Sequence, residues 1–350
     1  MSPNRLIVLS VAALVAISGA FYLTTTRNLP RDIQGAPLLP GLGAELGTVT
    51  EVSLLKGSPT PSVILHKTGG GWSVAERGDY PADVAKLHRL LLSLGDAKIV
   101  EEKTSDPANY SIIGVEDPTK AGASGTEIEV AAQDGRHAVI VGKPVGEGTF
   151  VRRAGEPRSY SVQPAIFVET EPRAWIDTRL IDVPVASIES VEFKPASGPG
   201  YVLRRIKPKA DGFELEHVPP GRKALDAASL APSATTLGGL DAEDVAAAKD
   251  IDFSQPVEAV YTLADGNVIT LTGAAVGDKR WVKVESTKDA ALAAKTRDRA
   301  FQLATYRYEA VFRPLDQLLV AKEAKPAKEA KPPAGAASSH RKAPAPAKAP

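Results

Sequence analysis

Side chains able to do chemistry are thinly spread along this chain of 350 residues. The histidines are His66, His88, His137, His217 and His340. No two of them have the close helical or hairpin spacing that puts two imidazoles on one metal ion, so they read as solvated or boundary residues. Cysteine is absent, which removes thiol nucleophiles, thiolate zinc sites, iron–sulfur clusters and disulfides. Asp241, Glu243, Asp244, Asp250 and Asp252 crowd one stretch. They lack the glycine and the regular odd-position spacing of an EF-hand loop. A solvated acidic face, with charges at a helix start near Asp241, is the simpler expectation. Gly41, Gly43 and Gly47 form GxGxxxG rather than GxGxxG and lie in a proline-rich stretch, not between a strand and a helix. Gly142 and Lys143 look like the end of a phosphate loop. However, Pro144 stands where a magnesium-binding Ser or Thr is required, and His137 takes the place of the upstream glycine. No GxSxG elbow occurs. No catalytic residue, cofactor-binding residue or metal ligand is expected. The strongest candidates for contact with a partner are two basic pairs, Arg152 with Arg153 and Arg204 with Arg205. Each pair adjoins strand residues, so one arginine should face solvent while the other supports a carboxylate.

The elements that carry these residues follow from the periodicity. Alternation predicts strands at 48–55 and 62–66, then a turn through Gly69, Gly70 and Gly71 into Trp72–Val74. A helix is expected over 82–94, with Pro81 near its first turn. Val84, Leu87, Leu91 and Leu94 form its apolar face beside Leu90, and Gly95 supplies its stop. Short strands follow at 127–132, 138–141, 149–152 and 159–162, separated by turns such as Asp134-Gly135 and Glu147-Gly148. The order then recurs: strands at 188–193, 201–206 and 212–215, an Ala-rich helix at 225–237, and strands at 257–263, 268–271 and 280–284. The expected fold class is α+β, with two similar β-rich units of antiparallel sheets and packed helices, at 48–182 and 183–320.

Both ends differ from this body. Residues 6–23 are an uncharged apolar run that would make a helix about 27 Å long, enough to span a bilayer core. Ser18, Gly19 and Ala20 provide small residues for signal-peptide cleavage after Ala20. Phe21, Tyr22 and Leu23 continue the run and favour an uncleaved anchor over 1–27. Residues 28–47, rich in Pro and Gly, read as a linker. The tail at 321–350 holds AKEAKP twice and many prolines without an aromatic, and is expected to be disordered. The formal net charge of zero is an average over these parts. Arg5, Arg27 and Arg31 have no acid beside them before residue 32, and the tail has seven bases against two acids. The body between them is therefore acidic, which argues against nucleic acid as a partner.

Several residues together carry a resemblance. They are Trp72 in GGGW, then Tyr80, Pro81 and Asp83 opening a Leu-rich helix, then Tyr110 with Gly114, Val115 and Pro118. The strands ending in IVGKP and TFVRRAGEPRSYSV follow, and FQLATYRYEAVFRPLDQLLV comes late. These resemble the domain-of-unknown-function family 4340. The resemblance implies a single-pass or exported bacterial envelope protein, encoded beside ABC-type exporter components related to gliding-motility transporters. It brings no catalytic residue and no cofactor.

The expectation is a non-catalytic, membrane-anchored accessory or binding subunit of an ABC-type envelope transport complex. It would be single-pass in the bacterial inner membrane, with its body facing the periplasm and with transporter components or an exported polymer as partners. Two alternatives stand beside it. One is a periplasmic hydrolase using body carboxylates; the other is a soluble periplasmic binding protein released by cleavage after Ala20.

Overall fold

The computed structural model describes residues 33–207 and 212–320. The expected membrane span at 6–23 and the expected tail at 321–350 lie outside them. Among the described residues no helix is long and apolar enough to cross a membrane.

The alternating apolar residues make strands that meet in two antiparallel sheets. β1 (Glu51–Leu55) buries Val52 and Leu54 and leaves Glu51, Ser53 and Leu55 half-exposed. It is followed by β2 (Val63–Thr68), β3 (Gly71–Val74), β4 (Tyr80–Pro81), β5 (Lys98–Glu102), β6 (Thr126–Ala132), β7 (Gly135–Val145), β8 (Gly148–Arg153) and β9 (Ser159–Gln163). Their order across the first sheet is β4-β3-β2-β1-β6-β7-β8-β9-β5. A short pair, β10 (Arg179–Ile181) with β14 (Leu240–Asp241), stands apart. The second sheet contains β11 (Ile188–Lys194), β12 (Tyr201–Arg205), β13 (Phe213–Leu215), β15 (Asp244–Ala247), β16 (Val257–Leu263), β17 (Val268–Val276), β18 (Lys279–Ser286) and β19 (Arg299–Leu303). Its order is β13-β12-β11-β16-β17-β18-β19-β15. The two orders correspond strand for strand, except that β4 has no partner in the second sheet. In both, a meander built on three corresponding strands leads into a helix, the next strand of the sheet goes to the far edge, and four strands fill the space between.

α1 (Leu42–Glu45) packs on α2 (Val84–Asp96), the helix that precedes β5. α2 begins where the Asp83 carboxylate accepts the Lys86 backbone N–H at 2.8 Å, satisfying one of the orphan donors at a helix start. It buries Leu87, Leu90, Leu91 and Leu94, each worth about 2 kcal/mol of transfer free energy. Three expectations for this helix change. Pro81 lies in β4 rather than in the first turn, Val84 is 39% exposed, and the helix runs through Gly95 to Asp96. Gly95 is there for close approach, since a Cβ on it would lie 3.3 Å from the Gly43 Cα of α1. α3 (Tyr110–Ile113) is a single turn. α4 (Ala227–Thr235) takes the place of α2 in the second half and is capped by Asp226. α5 (Ala290–Thr296) and α6 (Thr305–Val311) flank β19.

Leu38 and Leu42, in the stretch read from the sequence as a linker, are fully buried. Gly35 and Ala36 exchange backbone hydrogen bonds with Ile99 of β5, so this stretch lines the start of the edge strand. Thr178–Ile181 does the same beside Leu240–Ala242 in the second half. One apolar core runs through both halves, from Leu38 to Leu319. The molecule is thus a mixed α+β protein built mainly of antiparallel sheets.

Candidate functional site

The two sheets meet where the turn after β3 approaches the edge strand β15. Ala75–Arg77 is one turn of 3-10 helix closed by Gly78 in the left-handed region. That turn aims the Arg77 guanidinium at Asp244, with Nε 2.6 Å from Oδ1 and an Nη 3.2 Å from Oδ2. This two-pronged geometry is the strong form of an arginine–carboxylate contact. Arg299 of β19 reaches back across the seam and donates to the Gly78 carbonyl at 2.8 Å. Tyr80 of β4 is fully buried there, edge-on to Phe301 with ring centroids 5.6 Å apart. Burial pushes its hydroxyl pKa up and the Asp177 charge adds to this, so the phenol stays protonated. Lys295 of α5 completes the seam by donating to Asp177 at 2.8 Å.

Between these contacts lies an open cleft of about 850 Å³, lined from the first half by Glu76, Arg77 and Gly78 and from the second by β15, Trp281 and Asp298 among others. Its lining includes four bases (Arg77, Lys279, Arg297, Arg299) and four acids (Glu76, Asp244, Asp250, Asp298). Several of these charges are already engaged. Asp244 is held by Arg77, Arg299 by carbonyl oxygens, and Glu76 accepts the Ile64 backbone N–H at 3.1 Å. Val245 also lines the cleft although it is only 2% exposed.

The four arginines singled out from the sequence lie away from this cleft and apart from one another. Arg152 donates to the Val115 and Glu156 carbonyls at 2.9 and 3.0 Å and lies over the Tyr110 ring. Arg153 donates to the Leu38 carbonyl at 2.7 Å. Arg205, 8% exposed, donates to the Ile188 and Val185 carbonyls and lies over Phe213. Arg204 is exposed and pairs with Glu216. The pattern of one arginine outward and one inward holds at 204–205. The inward member binds backbone carbonyls, however, where a carboxylate was expected.

Among the histidines, His66 lies 3.1 Å from Asp79 and His137 lies 3.4 Å from Glu45, while His340 is outside the described residues. The acidic stretch does not start a helix. Asp241 ends β14, Asp244 opens β15, and Asp250 closes a 3-10 turn. Among the described residues no group of three or more His, Asp or Glu could hold a metal ion. The sequence offered little signal for the seam. Arg77 is a lone base beside Glu76, Lys295 and Arg299 sit with Arg297 in a short run that shows no motif, and Asp244 is hidden within its acidic run.

No curated protein and no solved structure matches the chain. A family described as a domain of unknown function, DUF4340, matches residues 72–265, from Trp72 in β3 to the turn after β16. That match covers more than half of the sequence and reaches across both sheets, and on it the chain belongs to the DUF4340 family.

Proposed function

We propose that this chain is a non-catalytic, membrane-anchored periplasmic accessory subunit of an ABC-type envelope transport complex, and that it works by binding. In this reading residues 6–23 are the anchor and the body stands in the periplasm. The transporter comes from the family resemblance alone, whereas binding is supported by the cleft. The observation that carries it is a concave site of about 850 Å³ at the seam of two sheets, walled by both and floored by a strand edge. Sites of this kind, between lobes, are where proteins preferentially take ligands.

The chemistry of the walls favours binding over hydrolysis. A glycosidase or aspartic-protease type of site needs two convergent carboxyls, one with a raised pKa. Glu127 has such a shift, from burial and from the nearby Glu129 and Asp117 charges, but it lies on β6 and does not line the cleft. Asp244 lines the cleft and is tied to Arg77.

Crosslinking in membranes from the native bacterium, followed by pull-down of the full chain, tests the reading. It should recover a component of an ABC-type transporter, and recovery of none overturns it.

A further inference from the structure

The hairpin tip that joins β11 to β12, residues 195–200, stands beside the segment that follows α6, and an apolar groove of about 450 Å³ lies between them. Pro195 and Pro199 of the tip form one wall. Phe193, Phe312 and Leu315 are set deeper, each less than a tenth exposed. The two phenyl rings are tilted by 51° with centroids 6.5 Å apart, and each is also packed on a tyrosine, so this floor is fixed in place. Asp316, whose side chain is 88% exposed, stands at the rim. The last described residues lie against this groove. The Val320 N–H donates to the Lys223 carbonyl at 2.7 Å and the Leu225 N–H to the Leu318 carbonyl at 2.9 Å, so residues 318–320 are pinned along 223–225. The Arg222 guanidinium then holds the Val320 carbonyl at 3.4 Å and the Asp316 carboxylate at 3.2 Å. One side chain thus bridges the point where residues 321–350 begin and the rim of the groove.

We infer that residues 331–334 of the same chain dock in this groove, with Pro332 and Pro333 against the two phenyl rings and Lys331 at the rim beside Asp316. Aromatic-lined grooves take proline-rich segments because the polyproline conformation is largely preformed and costs little ordering entropy. A proline also brings no N–H, so it enters an apolar groove without stranding a donor. Residues 321–350 contain no Val, Leu, Ile, Met, Phe, Tyr or Trp, and Pro332–Pro333 is the one pair of adjoining prolines among them. It is therefore the densest apolar point that this stretch can offer. Residues 321–331 can span at most about 40 Å, well beyond what the step from Val320 to the rim requires. Tethering at Val320 sets a local concentration on the order of millimolar, so a weak contact suffices to fill the groove. This docking stands apart from the cleft at the seam, and neither needs the other.

The chain has no cysteine, so Ser197→Cys with Ala334→Cys in the full chain introduces a single pair of thiols, one on the exposed hairpin tip and one beside Pro333. Oxidation by glutathione disulfide should close an intramolecular disulfide, read as a gel shift of the monomer. Adding Pro332→Ser and Pro333→Ser should slow closure about tenfold, because the segment is then tethered without being held. Adding Pro344→Ser and Pro346→Ser instead should leave the rate unchanged. Both pairs of serine changes lie beyond Val320, away from every residue of the groove. The proposal is overturned if closure is equally fast with and without Pro332 and Pro333, or if the changes at 344 and 346 are the ones that slow it. It is also overturned if disulfide-linked dimers form in place of the closed monomer, which would give the groove to a second copy. Failure of this closure would leave the accessory role standing, and failure of the membrane pull-down would leave the docked segment standing.

Discussion

Arg204 and Arg205 are neighbours in sequence with opposite duties, and substitution should separate them. Arg205 is buried, and its guanidinium donates to the carbonyls of Ile188 and Val185. Arg205→Ala should cost about 2 to 4 kcal/mol in a denaturant titration, since two hydrogen bonds to backbone carbonyls and the packing on Phe213 are lost. Arg204→Ala should leave the midpoint essentially where it is, as exposed ion pairs contribute little. Gly273 poses a steric case. A Cβ there would meet the Phe312 ring at 2.6 Å and the Tyr308 hydroxyl at 2.9 Å. Gly273→Ala should therefore destabilise by about 1 to 3 kcal/mol through overpacking of α6 against β17. Asp226 carries a pH signature. Its carboxyl is held below the usual aspartate range, chiefly by the Ser229 backbone N–H. A pKa lower in the folded than in the unfolded chain gives stability that is present above the unfolded value, about 3.9, and fades as pH falls through the folded one. The acid limb of stability against pH should flatten in Asp226→Asn relative to the unaltered chain, and an equally steep limb would contradict the capping contact.

Among the elements, the long alternating strands and the Leu-rich helix could be read in the sequence because burial imposes their period. Val52 and Leu54 in β1, Ala259, Tyr261 and Leu263 in β16, and the four leucines of α2 are all buried. What could not be read is mostly at edges and ends. β15 is Asp-Val-Ala-Ala, with one large apolar residue and so no pattern to detect, and β5 is Lys-Ile-Val-Glu-Glu. Both are positioned by pairing with distant strands, information that no local window holds. Gly95 misled because a glycine in a helix suggests a stop, whereas close packing on Gly43 is what requires it. The start of α2 behaved as its type predicts, and Asp83→Ala should lower stability by about 1 kcal/mol, read as a shift in thermal midpoint.

For the whole molecule the central feature is the seam. The apolar core is continuous across it, and Arg77–Asp244, Arg299–Gly78 and Lys295–Asp177 bridge elements far apart in sequence. A double-mutant cycle on Arg77 and Asp244 should give a coupling of about 1 to 2 kcal/mol, more than an exposed pair yields, because both side chains are largely buried. The candidate site was scarcely legible beforehand because it is assembled from short pieces of several elements, none with a motif of its own. The corresponding strand orders of the two sheets make the seam the place where a repeated unit faces its twin, and the edge strand β15 borders the cleft there. The most direct measurement of the account places a photo-crosslinking amino acid at Lys279, on the exposed rim of the cleft, and in a parallel chain at the exposed Lys56, which does not line it, and irradiates intact membranes. The account predicts one adduct, formed from position 279 only, whose partner is identified by mass spectrometry as an ABC-type transport component. Equal adducts from both positions, or none from position 279, would contradict it.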